Sequence, residues 1–195
     1  MKDGLIEKFI TDKRFESYVD LDEYKENLVI SKQSYIPLSI LEVSLRNSID
    51  TLLSRKVCED WHKDETFLTR DSAFKIKQAI ELLERRRESI SKHKIIAELS
   101  FGFWVNLFKK PYDKKLRIND LRKIFPNLPP KSVDLINREK VYKELNHIRN
   151  FRNRVFHYEK VVNKDGYNKI FEEIDKLLRY FDNEIYEFAT KVNKQ

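Results

Sequence analysis

Glycine is nearly missing from this chain of 195 residues, which holds three glycines and five prolines. So few residues tolerant of sharp reversals argue against a fold of many tight hairpins and leave long helices joined by few turns as the expectation. The single cysteine, Cys58, can close no intramolecular disulfide and has no second thiol for a zinc-type set. His62, His93 and His147 are scattered with no carboxylate or Cys at ligand spacing, so no metal and no cofactor are expected. Gly102 stands in no glycine-rich strand-to-helix junction, which removes a phosphate loop from consideration. No apolar run nears the roughly 18 residues that span a bilayer. The opening MKDGLIEKF also has no continuous apolar stretch of the secretory kind. A cytoplasmic chain in a reducing compartment, with no membrane contact, is the expectation.

What is present is 41% hydrophobic and 36% charged residues, enough for one domain over residues 1–195 with a sizeable core. From Asp20 to Cys58, apolar residues at Tyr24, Leu28, Tyr35, Leu38, Leu41, Leu45, Ile49 and Leu52 recur at helical spacing, which predicts one long helix with a kink near Pro37. Asp60 to Thr69 breaks it, and a second amphipathic helix runs from Asp71 towards Glu88. The very apolar stretch within Ile95 to Phe108 is expected inside. Four of the five prolines fall between Pro111 and Pro130, a loop-rich insertion around residues 109–131. Two further helices, roughly Ser132 to Tyr158 and Tyr167 to Val192, complete an all-α bundle. The last of these shows a stripe through Ile170, Phe171, Ile174, Leu177, Leu178, Phe181, Ile185, Phe188 and Val192.

The formal net charge is +7, and the stretch Lys109 to Lys123 alone has seven Lys and Arg against two Asp. Within it Lys109, Lys110, Lys114, Lys115 and Arg117 either form a solvated surface or track the phosphates of RNA by displacing counterions.

The most informative residues lie between Glu144 and Glu159. At about 100° per residue, Val141, Leu145, Ile148, Arg152 and Val155 share one face, so a guanidinium falls inside an apolar stripe. A charge there has to be paired, line a cleft or meet another subunit. Asn146, Arg149, Asn150, Asn153 and His157 form a polar row beside it. Such a row suits RNA cleavage without a metal. An imidazole moves protons near neutral pH, a guanidinium braces phosphorane charge, and a carboxamide orients either. An Arg and a His five apart diverge by roughly 140° on one helix, so convergence needs a distorted helix end or a second copy of the helix. The duller alternative is a buried ion pair at Arg152, an interhelical hydrogen bond at Asn153 and a polar cap at His157.

Arg152-Asn153-Arg154-Val155-Phe156-His157 resembles the Arg-x(4–6)-His signature of HEPN domains. Phe15-Glu16-Ser17-Tyr18, Leu41 to Asn47, and Glu98 to Trp104 followed by Leu107-Phe108 are similar, in that order, to the Abi-like (abortive infection) family. The likeness covers about residues 13–185. Where that family often has a second His and a Pro, this chain has Tyr158 and Lys160. The resemblance implies an all-helical HEPN bundle that cleaves RNA in phage defence or as the toxin of a toxin–antitoxin system. It further implies a homodimer whose shared active site uses Arg152, Asn153 and His157, and an RNA or protein antitoxin as a further partner. A non-catalytic HEPN module that binds RNA or protein is the alternative.

Glu42 stands four residues before Arg46, a favourable ion-pair spacing; alternatively Glu42 or Asn47 reaches the motif helix and orients Arg152 or Arg149. Trp61 and Trp104 are expected in the core rather than as base-stacking platforms.

Overall fold

The computed structural model describes residues 3–194, so the first two residues of the opening stretch and Gln195 lie outside it. Among the described residues there are ten α-helices and no strand, and the fold is an all-α bundle. In chain order the helices are α1 (Asp3–Phe9), α2 (Asp12–Phe15), α3 (Leu21–Lys56), α4 (Arg70–Arg85), α5 (Lys92–Glu98), α6 (Phe101–Asn106), α7 (Ile118–Ile124), α8 (Arg138–Phe156), α9 (Ile170–Phe181) and α10 (Asn183–Asn193). No helix among the described residues is long and apolar enough to cross a membrane.

The organising element is α3, a rod about 54 Å long at 1.5 Å per residue. It packs against α6, α7, α8, α9 and α10. Asp20 begins it by accepting the Glu23 N–H at 2.8 Å, one of the donors that a helix start leaves free. Leu38, Leu41, Leu45, Ile49, Leu52 and Leu53 bury its second half. The helix continues through Pro37. Proline has no N–H for the carbonyl four residues back, which is that of Gln33. Asn193 near the end of α10 supplies the missing donor, its Nδ2 reaching Gln33 O at 2.9 Å.

Before Pro37 the buried positions of α3 are Glu23, Asn27 and Ser34, whereas Leu28 and Tyr35 are exposed. The inward face is polar there because it meets the chain segment that follows α8, and the expected apolar row is displaced to the surface. Trp61 and Trp104 are both fully buried and meet edge-on at 6.0 Å.

Three boundaries differ from the sequence expectation. The stretch from Ser132 is not helical, and α8 starts only at Arg138, where Asn137 accepts the Lys140 N–H at 2.9 Å and sets the cap. The insertion around residues 109–131 contains a helix of its own, α7, whose entry is closed by the Arg117 N–H donating to Asp120 at 2.8 Å. The C-terminal stripe is not one helix either. Asp182, in extended conformation, ends α9 and caps α10 by accepting the Glu184 N–H at 2.8 Å. The two helices therefore turn different faces inward, and Phe188 is 59% exposed.

Candidate active site

The motif lies on the last two turns of α8 and the reversal after it. Val141, Leu145, Ile148, Phe151 and Val155 anchor α8 in the core. Arg152 lies at the edge of this row with its side chain 27% exposed, and its Nη2 stands 3.5 Å from Oε2 of Glu42, which is 26% exposed. On the other side the guanidinium carbon sits 4.3 Å from the ring centroid of Phe156, which in turn stacks on Tyr35 at 6.1 Å. One carboxylate and one aromatic face thus hold the cation. At 3.5 Å the pair is looser than a bidentate fork, and the buried Nε has no hydrogen-bond partner among the described residues.

Glu42 therefore reaches α8 rather than pairing with Arg46 one turn along. Arg46 is left with a long contact, its Nε 3.4 Å from Oδ1 of Asn47. Asn47 accepts that contact and lines a separate cavity together with Lys123 of α7.

His157 is the residue that closes α8. Its N–H donates to Asn153 O at 2.9 Å, the Tyr158 N–H to Val155 O at 3.0 Å, and the Glu159 N–H to Arg154 O at 2.8 Å. The last two bonds are those of a Schellman turn, in which the residue after the cap takes the left-handed conformation. That residue is Tyr158, at φ +57°, where glycine is usual.

Several side chains hold the reversal. Arg154 bonds Lys160 O through Nε at 3.3 Å and pairs with Glu159 at 3.1 Å. Arg14 donates to the Tyr158 carbonyl. From α3, Asn27 Oδ1 accepts the N–H groups of Val161 at 2.7 Å and Val162 at 3.1 Å. Glu23 accepts from Lys160 Nζ at 2.8 Å, Val19 N–H at 2.7 Å and Asn163 Nδ2 at 3.1 Å. These donors, Lys160 first, hold the Glu23 carboxyl down at about 2. Sequence spacing did not single out Glu23 or Asn27; their signal is that polar residues occupy the inward positions of a core helix.

His157 and Asn153 are exposed. Among the described residues no hydrogen bond or ion pair joins either side chain to Arg152, so the divergence expected from their spacing persists. Beside them an open groove of about 800 Å³ is lined by Val29, Tyr35, Ile36, Val155, Phe156 and Tyr158, among others. Arg149, one turn before Arg152, lies against Gly102 of α6, where an added Cβ would stand 3.4 Å from its Cδ. Its Nε and the Asn146 Oδ1 are buried without partners among the described residues.

The basic residues of the insertion divide by environment. Lys110, Lys114 and Arg117 are exposed, and Lys109 lies 5.9 Å from the Tyr142 ring centroid. Lys115 is engaged inside the molecule, donating to Thr66 O at 2.8 Å and Phe67 O at 2.6 Å. Among the described residues no three His, Cys, Asp or Glu side chains converge as a metal site would require. No protein-family model, curated protein or solved structure matches the chain.

Proposed function

We propose that this chain is a HEPN-type endoribonuclease of the Abi-like kind, working in the cytoplasm in phage defence or as the toxin of a toxin–antitoxin pair. The observation that carries the reading is the end of α8. A guanidinium held between Glu42 and Phe156 lies five residues before an exposed imidazole at a turn fixed by Glu23 and Asn27. Arg152 meets Glu42 through Nη2 alone and its side chain is partly exposed, which leaves part of its N–H fork for a phosphate oxygen.

The chemistry is attack of an RNA 2′-oxygen on the adjacent phosphorus, with breakage of the bond to the 5′-oxygen. The His157 imidazole takes the 2′ proton while water protonates the leaving oxygen, or the reverse. Arg152 stabilises the charge on the phosphorane, and Asn153 orients phosphate or imidazole. The step needs no metal, and its products are a 2′,3′-cyclic phosphate and a 5′-hydroxyl. Arg152 and His157 diverge on one helix, so bringing both to one phosphate calls for two copies of the motif, which favours a homodimer. The apolar groove through Tyr35, Phe156 and Tyr158, next to Arg152 and His157, is a surface that a second copy would cover.

A second reading, a non-catalytic module that binds RNA or protein, is favoured by the ion pair that Arg152 already makes. Complementation separates the two. Arg152→Ala and His157→Ala proteins, each inactive alone, are expected to regain part of the RNA cleavage when mixed, and sedimentation is expected to show a dimer. A strict monomer at micromolar concentration, or no activity in any mixture, contradicts the shared site.

A further inference from the structure

The strongest unassigned feature is a cavity of about 590 Å³ on the side of α3 that faces α7. Its wall includes Asn47, Ser48, Thr51, Arg55, Lys56 and Lys123. Residues 47, 51 and 55 follow each other at four-residue steps, so they form one ridge on the helix surface. The lining holds three cations and no carboxylate. Lys56 is paired with Asp120 just outside the lining. Burial pushes that carboxyl up, but Lys56, the Arg117 N–H and the nearby charge of Lys123 together outweigh it and keep it below its ordinary value, as an ionised partner. Neither Arg55 nor Lys123 makes a close ion pair among the described residues, though Lys123 acts on Asp120 at longer range, and Asn47, Ser48 and Thr51 add neutral hydrogen-bond donors around them.

Unpaired cations sharing a concave wall repel each other, and phosphate groups are the ligand that relieves this while using the hydroxyl and amide donors. Arg46, also without a carboxylate partner, reaches Asn47 at the edge of the cavity. It thus stands between the cavity and Glu42, which holds Arg152. From Glu42 to Arg55 the helix rises about 20 Å. The cavity is therefore within reach of a strand that leaves the motif, but it is not part of the motif.

We propose that this cavity binds backbone phosphates of single-stranded RNA away from the cleavage point, a reading that rests on RNA being the substrate. It places the main RNA contact at Arg55 and Lys123 rather than in the segment Lys109 to Arg117.

The test measures binding on the His157→Ala background, with a labelled single-stranded RNA long enough to span both places. Replacing Arg55 and Lys123 together by Gln is expected to weaken binding and to lower the log–log salt slope by about 1.4, at roughly 0.7 per phosphate contact on single strands. Lys56 stays in place, so its pair with Asp120 is undisturbed. An unchanged affinity and slope overturns the inference while leaving the nuclease reading intact. So does an RNA affinity that ignores both residues when inorganic tripolyphosphate binds through them, since that marks a site for a small polyphosphate. No RNA binding by the parent overturns it as well. Binding that depends on Arg55 and Lys123 in a protein that never cleaves RNA supports this site and defeats the nuclease reading instead.

Discussion

Asn27→Ala should cost far more than a lone asparagine on a helix normally does. The side chain is 2% exposed, and its Oδ1 accepts two backbone N–H groups, from Val161 and Val162, which are themselves buried. Its third bond, to Glu159 O at 3.5 Å, is too long to count for much. Alanine removes the acceptor and strands both donors, at about 1–3 kcal/mol each when left unsatisfied. Water entering the vacated space recovers part of this, so the expected loss is about 2–4 kcal/mol. For a domain of this size that is a fall in Tm of roughly 4–16 °C. Denaturant titration measures the loss, and hydrogen exchange at the Val161 and Val162 amides should quicken in the variant. Asn27→Asp retains an acceptor at the same place and should be milder. An alanine variant within about 0.5 kcal/mol of the parent, with unchanged exchange at both amides, refutes the claim that α3 pins the segment after the motif.

Tyr158→Gly should stabilise the protein by about 0.5–1 kcal/mol, because φ of +57° strains a side-chain-bearing residue and the ring is 72% exposed. A loss of stability on chemical denaturation contradicts this. Glu23 makes stability depend on pH, since its carboxyl is held at about 2 against an ordinary 4.5. A depressed carboxylate contributes fully above its unfolded value, and that contribution fades as pH falls from about 4.5 towards 2. Glu23→Gln should flatten the acid limb of the denaturation midpoint over that window, and equal limbs in both proteins speak against the assignment.

Helices whose inward faces are apolar were legible in the sequence, as in the second half of α3, α4 and most of α8. The first half of α3 was not, because Glu23, Asn27 and Ser34 occupy its inward positions and leave Leu28 and Tyr35 outside. The break at Asp182 was hidden by a stripe that runs on in phase through Ile185; an Asp capping a new helix carries a weaker signal than the hydrophobic period around it. At the candidate site, spacing alone put Arg152 on a core face, and the structure sets it at the edge of that face, against Glu42 and Phe156. The pairing of Glu42 with Arg152 depends on the packing of α3 against α8, two helices distant in sequence, which local spacing does not encode. Lys115 is a similar case, since only the fold brings it to the carbonyls of Thr66 and Phe67.

The central claim is metal-independent RNA cleavage by the residues that end α8, and product analysis in the presence of EDTA tests it most directly. A labelled single-stranded RNA incubated with the purified protein and excess chelator is expected to yield fragments ending in 2′,3′-cyclic phosphate. His157→Ala should abolish these products without unfolding the protein, since the imidazole is exposed. Cleavage that EDTA abolishes and magnesium restores, that survives His157→Ala, or that proceeds at a 2′-deoxy position contradicts the account.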